Sequence, residues 1–293
     1  MIIGDNKDLV IDNIKRCAES GQFHEKVEVD DPNLTREQKR DLARRHMAAR
    51  ETKRYREKNR FARFILGVGG RFINISTKID GLERLSSIKD GAIVTSNHFN
   101  PLDNTAVWTA VRKSGRKRLY IVSQDTNLAM TGFIGFLMKY SDIVPITSDY
   151  HYMVGPFIKT LRSLVKSGQF VLIYPEQEMW FNYKKPRPPR PGAYYYAAKF
   201  GVPIVSCFVE IKNRSTKEND SFYKTSYVVH ILPTIYPDPS LTVRQNSSAM
   251  MALDYRQKAE AYEDAYGKKL DYKFEDDDIA GWIPHGENKK MKL

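Results

Sequence analysis

Six short runs rich in β-branched residues recur between residues 91 and 234: "GAIVTSN", "RLYIVSQ", "DIVPITS", "QFVLIYP", "VPIVSCFVEI" and "TSYVVHILPT". Each is strand length, and stretches with helical periodicity, such as "DNTAVWTAVRKSG" and "MVGPFIKTLRSLVKSG", fall between several of them. Strands that alternate with helices restrict a chain to few architectures, because a crossover helix returns the chain to run parallel to the previous strand. The expected fold is therefore α/β, a mostly parallel central sheet flanked by helices. A further helical pattern, "SAMMALDYRQKAEAYEDAYGKK", follows the last run and leads into an acidic tail with Asp276, Asp277 and Asp278.

The part before the alternation has a different texture. "TREQ" reads as a capping box, with Thr35 as the cap and Gln38 at the third helical position. One helix is expected to run from there through residue 65, with the glycines at 67, 69 and 70 ending or interrupting it. Residues 36–64 hold twelve Lys and Arg against four Asp and Glu, an excess of eight within a whole-chain net charge of +12. The expected division is a basic N-terminal helical segment, residues 1–75, and an α/β domain, residues 76–293, that includes the C-terminal helix and acidic tail.

So basic a segment implies an anionic partner: a lipid surface, a phosphorylated small molecule or nucleic acid. Aromatic residues are sparse in it and no nucleic-acid motif is visible, so nucleic acid is not expected. No run reaches the roughly 18 apolar residues of a spanning helix. The nearest, "FILGVGGRFINI" and "LAMTGFIGFLM", fall short, and Arg71 interrupts the first. Together with Phe61, the residues Phe64, Ile65, Leu66, Phe72 and Ile73 give the basic segment an apolar end suited to a membrane interface containing anionic lipid. The opening "MIIGDNKDLVIDNIKR" is charged almost from its start, unlike a secretory leader. Cys17 and Cys207 have no metal-like spacing and form no disulfide framework, which suits a reducing compartment.

The stretch "TSNHFNPLDNTAVW", residues 95–108, holds one of six histidines and, five positions later, an aspartate. "GAIVTSN" reads as a buried strand and "PLDNTAVWTAV" as a helix, with Asn100 as cap, Pro101 at the first position and Asp103 in the first turn. His98 then lies in the loop at the carboxyl end of a strand, where open α/β sheets place their sites. Two readings fit. Asn100 and Asp103 are helix-capping residues and His98 is incidental, or Asp103 orients the imidazole so that its other nitrogen can take a proton from a nucleophile. "FVLIYPEQEMW" is a second strand that ends in a polar loop, with Pro175 and Glu176 opening on the same edge. His151 and His230 lack an acid partner at useful spacing and read as structural. Of Tyr194, Tyr195 and Tyr196, at least one is expected in the core, because consecutive residues cannot share one helix face. No His/Cys/Asp cluster has metal-ligand spacing, so no metal is expected.

The order H-x4-D, then a strand into Tyr-Pro-Glu, then "GVPIV" resembles the glycerolipid acyltransferase superfamily over roughly residues 75–235, most closely its bacterial 1-acyl-sn-glycerol-3-phosphate acyltransferases. The resemblance implies direct transfer of an acyl group to the free hydroxyl of a lysophospholipid, 1-acyl-sn-glycerol-3-phosphate above all. His98 would be the general base and Asp103 its orienting partner. Glu176 would sit by the acceptor, and Pro203 of "GVPIV" would shape the acyl pocket. The donor would be a thioester of acyl carrier protein or coenzyme A, or an acyl phosphate, with no cofactor. The enzyme would be peripheral on the cytoplasmic face of the cell membrane. This chain departs from the family where Gly-Thr-Arg-Ser normally follows Pro-Glu; it has Gln177, Glu178, Met179 and Trp180. "SDIVPITSD" also lacks the arginine of a second family block. Lys184, Lys185, Arg187 and Arg190 are the nearest candidates to replace those arginines at the acceptor's phosphate. A different acceptor, a glycolipid or another lysolipid, is the alternative the departures raise. A basic membrane- or nucleic-acid-binding protein without catalysis is a further one.

Overall fold

The computed structural model describes residues 6–29 and 34–284. Seven strands form one sheet in the order β1-β7-β6-β2-β5-β3-β4. They are β1 (Lys78–Asp80), β2 (Ala92–Thr95), β3 (Leu119–Gln124), β4 (Ile143–Ile146), β5 (Phe170–Leu172), β6 (Ile204–Lys217) and β7 (Tyr223–Ile231). Every neighbouring pair is parallel except β6 and β7. Three expectations about fold class therefore hold: the chain is α/β, the sheet is mostly parallel, and helices flank it.

In order, the helices are α1 (Lys7–Glu19), α2 (Arg36–Arg50), α3 (Lys53–Ile73), α4 (Leu82–Ser87), α5 (Asn104–Lys113), α6 (Gly132–Tyr140) and α7 (Tyr150–Tyr152). A π-turn at Met153–Phe157 joins α7 to α8 (Ile158–Lys166), and α9 (Gly192–Phe200) and α10 (Val243–Tyr266) complete the set. The central strands are buried on both faces, as parallel strands between helix layers must be. Ala92, Val94, Phe170 and Leu172 point to a core shared with Ala106, Val107, Ala110 and Val111 of α5. The alternating Ile93 and Val171 point the other way, to Leu161 and Val165 of α8 and Ala193, Tyr194 and Ala197 of α9. The last of these settles the tyrosine run: Tyr194 is core, its hydroxyl donating to buried Asp254 of α10, whereas Tyr195 is exposed.

The basic segment is two helices, not one. Thr52 breaks it, its hydroxyl accepting the Tyr55 N–H at 3.1 Å to cap α3. The glycines do not end α3, which passes through them to Ile73. Instead they permit close packing: a Cβ on Gly67 or Gly70 would meet the Trp108 ring of α5 at 3.5 or 3.4 Å. The capping box of α2 forms as expected, with Gln38 N donating to Thr35 at 3.2 Å and Thr35 N to Gln38 at 2.9 Å. α2 closes the outer edge of the sheet, where His46 Nε2 and Arg50 Nη1 reach the Ile143 carbonyl of β4 at 3.3 and 3.2 Å. Asn59 of α3 donates to Asp142 at 2.8 Å, and Arg118 pairs with the same carboxylate.

α1 packs elsewhere, through Val10, Ile11, Ile14 and Cys17 against Trp180, Phe181, Phe222 and Ile279. His230 has the acid partners that its sequence neighbours lack: Nε2 lies 3.0 Å from Glu210 and Nδ1 3.3 Å from Asp80. Strand pairing supplies both, by bringing β1 and β6 to either side of β7. Cys17 and Cys207 are both free and buried.

Candidate active site

Three local features deliver His98 to the carboxyl edge of the sheet. β2 ends at Thr95. Asn97 then extends the pairing with its side chain, its amide donating to Val209 O at 3.0 Å and accepting from Val209 N at 2.8 Å. A turn through Pro101 follows, held by Asn100 Oδ1 accepting the Leu102 N–H at 3.0 Å. α5 starts later than the sequence suggests, so Asp103 stands at the N-cap and Asn100 does not. The Asp103 carboxylate makes no cap bond to the helix. It turns back into the loop instead. Its Oδ2 accepts from His98 Nδ1 at 2.8 Å, from Phe99 N at 2.9 Å and from Asn100 N at 3.2 Å. A carboxylate at the centre of three donors is an acceptor, so Nδ1 carries the imidazole proton and Nε2 is left to accept one. Asp103 is 3% exposed and the His98 side chain 21%, which leaves the ring reachable and its partner shielded.

Tyr174 completes the arrangement. Pairing of Val94 with Leu172 brings the end of β5 alongside the His98 loop. There the Tyr174 ring stacks on the imidazole, with centroids 3.9 Å apart and planes 14° apart. Its hydroxyl donates to Asp103 Oδ1 at 2.5 Å. Burial, followed by the Asp103 charge and this hydrogen bond, pushes the phenol well above its ordinary pKa, so it stays a neutral donor. Sequence spacing did not reveal this residue. The available signal was its place directly before Pro175-Glu176, at the end of a strand adjacent to β2.

Glu176 reaches the site but is fully engaged there. Its Oε2 accepts from His98 N at 3.2 Å and from Arg187 Nε at 3.1 Å, and its Oε1 accepts from Arg187 N at 3.0 Å. Arg187, 2% exposed, also donates to Phe23 O at 2.8 Å and to Glu178 O, with its guanidinium 4.4 Å from the Trp180 ring centroid. The loop after β5 is bound to the His98 loop by Trp180 N to His98 O at 3.1 Å and Asn182 N to Phe99 O at 2.8 Å. Gln177 occupies the position where the superfamily that the sequence resembles has glycine. It nevertheless adopts the left-handed conformation, φ 70°, at a cost on the order of 1 kcal/mol.

Most of the basic loop is buried and paired. Lys184 pairs with Asp277 and Lys185 with Asp278, both at 2.8 Å, and the two lysines are 7% and 4% exposed. Lys184, Lys185 and Arg187 are thus spent inside the protein, and of the four proposed phosphate contacts only Arg190 has an exposed side chain. Its backbone N–H donates to Pro175 O at 2.7 Å, which places it on the same loop as Tyr174. His24, from the segment after α1, has its Nδ1 3.5 Å from the Glu176 carbonyl. Burial, then the Arg190 charge, lowers its pKa. Pro203 is not part of this constellation. It directly precedes β6, whose Ile204 pairs with Ile93 near the start of β2, at the end of that strand away from the His98 loop. No group of three or more His, Cys, Asp or Glu side chains among the described residues is placed to hold a metal ion.

An imidazole fixed at Nδ1, with Nε2 open and its carboxylate sheltered, is equipped to remove a proton from a hydroxyl. Comparison with known proteins gives three findings. Residues 76–210 match the family model described as Acyltransferase. A crystal structure of the 1-acyl-sn-glycerophosphate (LPA) acyltransferase PlsC from Thermotoga maritima is matched at 15% identity and a TM-score of 0.48, over 79% of this chain and 89% of that one. No curated protein matches.

Proposed function

We propose, from the match of residues 76–210 to the Acyltransferase family model, that this chain transfers an acyl group to the free hydroxyl of a lysophospholipid, with 1-acyl-sn-glycerol-3-phosphate as the leading acceptor and phosphatidic acid as the product. The observation that carries the chemistry is the contact of His98 Nδ1 with Asp103 at 2.8 Å, which leaves Nε2 open. Nε2 takes the hydroxyl proton as the oxygen attacks the acyl carbonyl. The bond from the carbonyl carbon to sulfur, or to the oxygen of an acyl phosphate, breaks, and the imidazolium returns the proton to the leaving group. Asp103 stabilises the imidazolium between these steps. Arg190, exposed beside the site, is the remaining cation of its loop to meet the acceptor's phosphate.

A lipid surface is the proposed partner. α3 carries Phe61, Phe64, Val68 and Phe72 exposed on one stripe, with Ile75 just beyond its end and Phe133 of α6 nearby. Asn74, at the end of α3, donates to Thr105 in the first turn of α5 at 2.9 Å, which ties the end of the helix to a residue two positions along the chain from Asp103. An apolar stripe with basic flanks suits a helix lying in the headgroup region, on the cytoplasmic face where acyl thioesters are made. No helix among the described residues is long and apolar enough to cross a membrane.

The test offers purified protein lysophosphatidate and other lysolipids, each with acyl carrier protein thioester, coenzyme A thioester or acyl phosphate, and reads lipid products by mass spectrometry. Acylated lysophosphatidate is expected, with His98→Ala reducing turnover roughly 100- to 10,000-fold while the fold is retained. Full activity in folded His98→Ala would end the mechanism. Exclusive acylation of a non-phosphorylated acceptor would replace the substrate.

A further inference from the structure

We infer that Tyr174 is a positioning residue for this reaction: its ring holds the plane of the His98 imidazole, and its hydroxyl, by donating to Asp103, sets how strongly that carboxylate grips the ring. The inference rests on His98 acting as the base.

The geometry assigns Tyr174 two contacts that no other described side chain combines. Its ring lies 3.9 Å from the imidazole and nearly parallel to it. Its hydroxyl is 2.5 Å from Asp103 Oδ1, while the three other donors to Asp103 all go to Oδ2. The carboxylate is thereby divided: one oxygen serves the histidine and its loop, and the other serves the tyrosine. Stacking removes the freedom of the imidazole to rotate, and the Nδ1 bond fixes which edge faces inward. Nε2 is then aimed by two perpendicular constraints, a face contact and an edge contact.

The hydroxyl has a second effect. A hydrogen bond donated to a carboxylate draws charge from it, and a carboxylate with less available charge stabilises an imidazolium less. Among the described residues, three ionisable side chains contact His98, and Tyr227 of β7, packed on Phe99, feels the Asp103 charge from beyond them. Asp103 comes from its own loop, and Tyr174 and Glu176 from the loop after β5. Glu176 meets only the backbone N–H of His98 and is countered by the Arg187 guanidinium at 2.9 Å. Tyr174 cannot act as an opposing charge, because it is held neutral. Its hydroxyl is therefore the adjustable contact on the Asp103 side of the ring.

Tyr174→Phe keeps the ring and removes the hydroxyl, whereas Tyr174→Leu removes both. The ring nitrogen resonances of His98, followed by NMR across pH in the intact protein, need no acyl transfer to be read. In Tyr174→Phe the midpoint of that titration should move up by about half a pH unit or more, since the freed carboxylate grips the imidazolium harder. The acidic limb of the kcat/KM profile should move up with it, with KM for the acceptor unchanged. Tyr174→Leu should in addition lower kcat at the plateau by about tenfold or more, through lost alignment. In an Asp103→Asn background the midpoint shift from Tyr174→Phe should disappear. Should Tyr174→Phe not fold, 3-fluorotyrosine at position 174 supplies a more acidic donor and should move the midpoint down. An unmoved midpoint in Tyr174→Phe or in the fluorotyrosine protein overturns the inference, as does an equal shift with and without Asp103. Such a failure leaves the acyl-transfer reading intact. Loss of that reading would show instead as a moved midpoint in a protein that acylates nothing.

Discussion

Arg187 has an ionic partner, two carbonyl acceptors and an aromatic face, and almost no water. A guanidinium in such a place is held by geometry rather than by net gain, because desolvation offsets most of the attraction to Glu176. Burial accordingly lowers the Arg187 pKa, with Glu176 working in the opposite direction. Removing one partner leaves a buried charge alone. Arg187→Met is therefore expected to lower unfolding stability by roughly 3–5 kcal/mol, measured by chemical denaturation. The acceptor KM of whatever folded enzyme remains should change little. A large rise in KM at unchanged stability would return Arg187 to the role of phosphate contact. His98 and Asp103 were legible in the sequence because a five-residue spacing across a strand-to-helix turn brings two side chains together by local geometry alone. Arg187 was legible as a cation but not as a buried one. Its partners come from residues 23 and 176, and the acids that occupy Lys184 and Lys185 lie about ninety residues further on.

At the scale of elements, α2 is docked by a histidine that must be neutral. His46 is 8% exposed, and burial, then the Arg50 charge, lowers its pKa from 6.5 to about 4. An unfolded chain takes up a proton here as pH falls below about 6.5, and the folded chain does so only near 4. The stability this contributes is present above the higher value and is lost as pH falls through the interval, by up to about 3 kcal/mol. His46→Gln can still donate to the Ile143 carbonyl but does not titrate. Unfolding curves between about pH 7 and 4 should decline less steeply in the variant by one proton's worth. Identical slopes would mean that the imidazole is not held neutral. α3 carries a separate expectation. Wild-type protein should sediment with vesicles containing anionic lipid, bind zwitterionic vesicles far less, and be partly released by high salt. Changing Phe61, Phe64 and Phe72 to Ser should weaken binding while the fold survives, because all three are exposed. Equal binding to both vesicle types, or none to either, would count against the stripe. The composition of α2 and α3 was plain in the sequence, but the break between them was not. Thr52 is an ordinary residue until its hydroxyl is seen capping α3.

Across the whole molecule, the parallel centre could be read from β-branched runs alternating with helical stretches, because a crossover helix returns the chain parallel to the previous strand. The antiparallel pairing of β6 with β7 could not, since a β-branched run carries no sign of its direction. β1 was missed because three residues, "KID", make no pattern. The closure of the site also escaped, because it depends on both ends of the chain. The loop that carries Tyr174, Glu176 and Arg187 is tied back over 164 residues to Phe23 and 155 residues to Glu25, and forward over 93 residues to Asp277 and Asp278. This sets an order on biosynthesis. The segment after α1 leaves the ribosome long before the loop it will hold, and the acids that neutralise Lys184 and Lys185 leave long after. A nascent chain halted near residue 240 already has all seven strands and the His98 loop, yet lacks α10 and the counter-charges of the buried lysines. The loop beside His98 therefore acquires its last ion pairs only as translation nears residue 278.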